Sequence, residues 1–421
     1  MRFWVLLGLT ACGDNSFDFP AKANLQRDIV STDLVVDVTA QHGTAVITFA
    51  GDTGPGATLE IGDLTIEAVT VGGVEIETRQ HDGLLDLGIP ESDAIAVSID
   101  YAYVAHDRAD GVSPNGYTLV WPYFCENIFP CHSDPSDGSA FTLELTGVPE
   151  GKTAVYPTSL PDAPAYQLAW SIADLTEIQL GTTQHGTEIV AWYLPSLEPK
   201  LRAGTTQLVE AFDWYEQNLG PYQFGPKAGT VAVSWEFSGI APDYVLGGME
   251  HHPFWHINET SLRASDAHIH EAGHGWFGDG IRIGCWEDMV LSEGTITYLT
   301  GRVLDVIQPG NTYFANLARA LTPLPDVDHV WPQSCGVVDG IAMINTEVYI
   351  RGGMFYRALA LRLGADEVDA VLRTFYAQHV LGAARFSDML ATIEAVTGYD
   401  ASACAETWLR TIAVPPVAAC D

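Results

Sequence analysis

The run His270-Glu271-Ala272-Gly273-His274, with Glu293 after eighteen intervening residues, limits what this chain can fold into. Residues four apart share one face of a helix, so a helix through the run sets both imidazoles to one side, where they can hold one metal ion. Glu293 is the third ligand, delivered by a following helix, and a fourth position stays open. Glu271, next to the first histidine, is placed to take a proton from water on that ion. The ligand set suits a single Zn2+ ion. The fold must therefore bring two helices together around a buried polar centre. Ser265-Asp266 reads as an N-cap pair ahead of Ala267. Gly273 and Gly275 each cost about 1 kcal/mol in a helix interior, which predicts close approach of another backbone. His268 points to a different face from His270 and reads as structural.

The chain has 421 residues, enough for two to three domains with their own cores. A hydrophobic fraction of 47% with 11 tryptophans predicts a packed protein rather than a disordered one. Net charge is −35, and Lys22, Lys152, Lys200 and Lys227 are the only lysines, a surface that repels nucleic acid and anionic lipid. Such a surface suits a saline or open environment, or draws in a cationic ligand such as a peptide amine. Met1-Arg2, the apolar run Phe3–Leu9 and the small residues before Cys12 read as an export leader. Leu9-Thr10-Ala11-Cys12 resembles the bacterial lipobox, so residues 1–12 are expected to be a lipoprotein-type signal peptide. A lipid anchor on Cys12 would be the sole membrane attachment. The expected location is the bacterial cell envelope, with plain secretion as the alternative. The remaining six cysteines form an even set for an oxidising space. Spacing suggests Cys125–Cys131 and Cys404–Cys420, leaving Cys285 with Cys335.

After a linker over residues 13–27, the stretch 28–200 reads as strands. Leu34–Thr39, Thr44–Phe49, Ile95–Tyr101 and Ser139–Leu145 are partly alternating and separated by Gly, Pro and Asp turns. Short strands without clear helices between them predict a β-sandwich-like domain. Pro195-Ser196-Leu197-Glu198-Pro199-Lys200 reads as the domain joint. In residues 201–421 the period becomes helical: Leu208, Val209, Ala211, Phe212, Tyr215 and Leu219 recur on one face and stop at Gly220-Pro221. Further helices are expected around the histidine motif, over Gly353–Leu363 and over Ser387–Val396.

Four blocks carry a resemblance to the aminopeptidase N family of gluzincin metallopeptidases. His270 through Asp279 resembles its HExxH-x-WFG-N stretch, with Asp279 where Asn is usual. Trp286 through Gly294 is similar to W-x-D-x-W-L-N-E-G, departing at Val290 and Ser292. Gly247-Gly248-Met249-Glu250-His251 resembles the GxMEN motif, with His251 for Asn, and Val348-Tyr349-Ile350-Arg351-Gly352 resembles V-Y-x-K-G. The order and separations of the blocks agree, and Phe129–Pro135 resembles the family's FPCFDEP turn. Ten residues before Cys131, where the family usually has Glu or Gln, this chain has Trp121. With the sequence ending at Asp421, a short form without the family's helical C-terminal domain is the expectation.

The resemblance implies an α+β multidomain fold, an N-terminal β-sandwich-like domain and then a mainly helical, thermolysin-like zinc metallopeptidase domain. It implies His270, His274 and Glu293 as ligands of one zinc ion and Glu271 as the base. Tyr349 would donate to the oxyanion. Glu250, with Gly247, Gly248 and Met249, would receive the free amine of a peptide. The expected activity is that of an aminopeptidase on peptides with a free N-terminus. An open-cleft zinc endopeptidase and a catalytically silent peptide-binding surface protein are the alternatives.

Overall fold

The computed structural model describes residues 17–416 and 420, except 21, 53, 109 and 236–246. The leader, Cys12 and the start of the linker lie outside the described residues. Strand Ile29–Asp37 pairs antiparallel with His42–Phe49 and parallel with Gly138–Thr146. In His42–Phe49 every second residue, Gly43, Ala45, Ile47 and Phe49, is buried, the period of a sheet with one face on a core. Seven strands form this sheet, in the order Ser159–Pro164, Gly138–Thr146, Ile29–Asp37, His42–Phe49, Ile95–Ala102, Thr65–Val71 and Val74–Glu75. Ala57–Glu60, Leu84–Leu87 and Thr78–His81 make a separate three-stranded sheet. The buried Arg27 guanidinium ties their connections together, donating to the carbonyls of Ala50, Gly56 and Pro90 and to Ser92 Oγ.

A five-stranded sheet opens the second half, ordered Thr176–Thr182, Glu188–Tyr193, Lys227–Val233, Phe254–Asn258 and Gly248–Met249. The change of sheet thus falls between Ala173 and Thr176, ahead of the joint expected at Pro195–Lys200. Pro195 and Pro199 instead sit in the first turns of a 3-10 helix and of the α-helix Glu198–Gly204. Proline's fixed φ suits a helix start, which explains why a pair of prolines here marks helix entry rather than a linker.

The remainder is mainly helical. Leu208–Asn218 buries Leu208, Ala211, Phe212 and Tyr215 and ends ahead of Gly220-Pro221, as the spacing predicts. Thr295–Ile307, Thr346–Leu363, Ala365–His379, Phe386–Thr397 and Ser402–Leu409 complete the main helical layer. Buried apolar residues of both halves join in one continuous core. Disulfides Cys125–Cys131, Cys285–Cys335 and Cys404–Cys420 are present as the spacing suggested. Cys285–Cys335 spans 50 residues, and closing such a loop removes about 4 kcal/mol of chain entropy from the unfolded state. Among the described residues no helix is long and apolar enough to cross a membrane.

Candidate metal centre and its pocket

Helix Ser265–Gly273 carries the histidine motif. It starts at Ser265 with Ala264 in the cap position and without a side-chain cap, so Ser265-Asp266 enters the helix instead of capping it. Three buried side chains hold this helix by its carbonyls and those just before it. His268 Nε2 donates to Leu262 O at 2.9 Å, which confirms its structural place. Tyr215 Oη donates to Ile269 O at 3.0 Å, and His252 Nε2 donates to Glu271 O at 2.8 Å. The close approach at the two glycines comes from side chains, not from another backbone. A methyl group at Gly273 would stand 2.9 Å from Tyr215 Oη, and one at Gly275 would stand 2.8 Å from the Tyr222 ring.

His270 Nε2, His274 Nε2 and Glu293 Oε2 converge. The two imidazole nitrogens are 3.2 Å apart, and they lie 2.9 and 3.4 Å from the carboxylate oxygen. Ligands at zinc bond lengths around a tetrahedral ion stand about 3.3 Å from one another, so the donors fit one zinc ion. The tautomer fits as well. His274 Nδ1 donates to Phe277 O at 2.9 Å, which leaves the Nε2 lone pair facing the centre. Burial alone would lower the His274 pKa, but without a cation at the centre Glu293, Glu250 and Glu271 push it up to about 10, so an ion binding there would displace the Nε2 proton and free that lone pair. Burial would raise Glu293, yet His274 and the hydrogen bonds from both imidazoles hold it well below the usual carboxylate range.

Glu293 arrives on a π-helical turn, Val290–Gly294, which runs into helix Thr295–Ile307. Single π turns shift side chains locally and recur at functional sites. Backbone contact sets the next element. A methyl group at Gly352 would meet Gly294 Cα at 2.5 Å, so these two glycines let helix Thr346–Leu363 lie directly against the turn. That contact brings Tyr349 to the centre: its hydroxyl donates to Glu293 Oε1 at 2.9 Å, and its ring stacks near His270. Asn345 caps the same helix by accepting from Val348 N. The buried Arg351 guanidinium, on the second turn of that helix, binds backbone carbonyls of Thr322, Trp408 and Thr411.

Glu271 packs over the edge strand Gly248–Met249, whose glycine is required because a methyl group there would come within 2.5 Å of Glu271 Oε1. Glu250 follows that strand, and one ligand atom each of Glu250, Glu271 and His274 lie within 4.8 Å of one another. Burial, partly opposed by His274, pushes Glu250 up to about 7 and Glu271 well above the usual range. A cavity of about 200 Å³ is lined by Gly247, Gly248, Met249, Glu250, His270, Glu271, Glu293 and Tyr349. The sequence-predicted residues are thus brought together, with His274 just behind the cavity wall.

Several members of the site stand outside the four matched blocks, Trp121 at the position marked by its distance from Cys131. Trp121 lines the cavity from the N-terminal half and packs edge to face on Trp286 at 5.3 Å. Ala267 and Ile344 complete the wall. His252, adjacent to the Glu250 block, links three parts of the site. Its backbone N–H donates to Asp279 Oδ2 at 3.3 Å, and its ring joins Tyr222 Oη to Glu271 O.

Residues 209–408 match the model of the peptidase family M1 domain. The chain is 21% identical over 418 residues to aminopeptidase N of Lactococcus lactis subsp. lactis, a match covering 85% of this chain and 47% of that protein. It is 22% identical to aminopeptidase N of Streptomyces lividans, covering 83% of this chain and 45% of that one. The chain spans about half the length of these relatives. Among solved structures, an M1 zinc metallopeptidase from Deinococcus radiodurans superposes with a TM-score of 0.74 at 19% identity. That match covers 93% of this chain and 95% of the other, and shows that the fold is shared over both halves.

Proposed function

Because the chain belongs to peptidase family M1 through residues 209–408, we propose that it is a zinc-dependent aminopeptidase that removes N-terminal residues from peptides. One observation carries this reading: a three-donor metal centre opens onto the same cavity as Glu271, Glu250 and Tyr349. When bound by His270, His274 and Glu293, zinc supplies Lewis-acid polarisation and a water of lowered pKa.

The chain's own residues do the rest. Glu250 receives the substrate ammonium in a buried setting, which fixes the register so that the first peptide bond lies over Glu271. A Glu271 carboxylate oxygen takes the proton of the attacking water and passes it to the departing amine. The Tyr349 hydroxyl turns its hydrogen from Glu293 Oε1 to the oxygen that gains negative charge in the transition state. Gly248–Met249 is the edge strand of its sheet, and its outer backbone groups suit an extended peptide. Trp121, Met249 and Ile344 give the cavity apolar walls. A structure of a mutant Deinococcus radiodurans enzyme bound to a Tyr-Ser-Ala substrate supports short peptides as the substrate class.

The test is a panel of aminoacyl arylamides and their N-acetylated forms, with and without chelator. Free-amine substrates should be cleaved, chelation should stop cleavage and zinc should restore it. Equal cleavage of acetylated peptides would favour an open-cleft endopeptidase. Zinc-loaded protein that binds peptides without cleaving them would make the chain a peptide-binding protein.

Export and a lipid anchor on Cys12 belong to the same proposal. They are supported by the leader and the lipobox-like Leu9–Cys12, and the disulfides suit an oxidising space. Labelled fatty acid should enter the wild-type protein and not Cys12→Ala; equal labelling would remove the anchor.

A further inference from the structure

Away from the cavity, the turn Thr183–Thr187 joins the two strands at the outer edge of the five-stranded sheet and rests on helix Leu208–Asn218. Asp213 and Glu216 lie three residues apart and so share the helix face beneath the turn. The turn is held in shape from within. Thr183 and Thr187 exchange backbone and hydroxyl hydrogen bonds, and Gly186 sits at φ +97°, where a side chain would be strained. It is also held from below, since Gln184 N donates to Asp213 Oδ1 and Thr187 Oγ1 donates to Glu216 Oε1, each at 2.6 Å.

Glu216 is 4% exposed, and its second oxygen, Oε2, is shielded from solvent without a hydrogen-bond partner. A carboxylate oxygen left that way is costly, and native proteins rarely leave one so. His185 Nδ1 stands 3.7 Å away, too far to donate to it. One ligand atom each of His185, Asp213 and Glu216 lie within 4.8 Å of one another. Donors bound to one ion at about 2.0–2.2 Å stand about 3–4 Å apart, so a small closure of the half-exposed His185 completes a site.

We propose that His185, Asp213 and Glu216 bind a second divalent cation, of the zinc class, which clamps the turn to helix Leu208–Asn218. An imidazole in the set disfavours magnesium and calcium, which take oxygen donors. The clamp is structural. It braces the helix whose Tyr215 hydroxyl holds the Ile269 carbonyl of the motif helix. It does not depend on the peptidase reading, because none of its ligands reaches the cavity.

Zinc content and thermal unfolding of the full chain test it. The wild type should hold two equivalents of zinc at micromolar concentration, and H270A/H274A and H185A/D213N should hold one each. Zinc should raise the Tm of H270A/H274A by several degrees, calcium should not, and adding H185A/D213N should abolish the rise. If H270A/H274A fails to fold, H185A/D213N alone decides: its zinc should fall from two equivalents to one with peptidase turnover retained. Zinc binding unchanged by H185A/D213N, or a wild type whose single equivalent is lost in H270A/H274A and kept in H185A/D213N, overturns the proposal.

Discussion

His270, His274 and Glu293 at the cavity, and His185, Asp213 and Glu216 under the turn, present similar donors in opposite surroundings. The first set is buried, with His274 aimed by the Phe277 carbonyl and with Glu271, Glu250 and Tyr349 around a space for substrate. The second lies at the surface, with one buried carboxylate fixed by Thr187 and with His185 half-exposed. Donor chemistry decides whether an ion can bind. The neighbours decide whether that ion does chemistry or only holds two elements together.

That contrast can be broken at each centre. His274→Ala should empty the cavity centre and cut turnover on the order of 10⁴-fold or more, read by zinc analysis and arylamide hydrolysis. Tyr349→Phe should keep zinc and KM while lowering kcat by about 10²- to 10³-fold, the loss expected for one donor to a developing oxyanion. Glu250→Gln should lower kcat/KM for free-amine substrates by roughly 10- to 100-fold and leave any activity on N-acetylated peptides unchanged. His185→Ala should leave turnover within a factor of about 2 and remove only the zinc-dependent gain in Tm.

The smallest effect concerns the N-terminal half and pH. Burial would lower the His132 pKa, but its hydrogen bond to Asp137, with Thr58 O and Glu60, raises it on balance. A pKa raised on folding adds stability that is complete below about pH 6.5 and is lost as pH rises through the folded value. Wild type should therefore lose more Tm than His132→Gln between about pH 6 and about pH 9. Equal losses would remove His132 as a contributor.

The metal centre was legible because its spacing is local: the helical period fixes His270 against His274, and a short connection returns Glu293 to them. Strands such as His42–Phe49 and helices such as Leu208–Asn218 were legible for the same reason, through their burial periods. Contacts made at long range were not. Trp121 stands where the resemblance expects Glu or Gln, but its apolar ring gave no sign that it lines the cavity from the other half of the chain. His252 lies beside a motif, but its bonds to Tyr222 and the Glu271 carbonyl depend on the folded sheet. Gly294 and Gly352 stand in recognisable blocks, yet their meeting is a property of two helices far apart in sequence. The sheet boundary near Thr176 escaped because strands Thr176–Thr182 and Glu188–Tyr193 follow the earlier strands without a helix between and reveal their partner sheet only by pairing.

Glu271→Gln gives the most direct measurement, since it replaces the proposed base and leaves every proposed zinc ligand in place. Zinc content and substrate KM should stay near the wild-type values while kcat falls by about 10⁴-fold. A zinc-loaded Glu271→Gln protein that turns over free-amine substrates at the wild-type rate would contradict the role of Glu271 and the hydrolytic mechanism built on it.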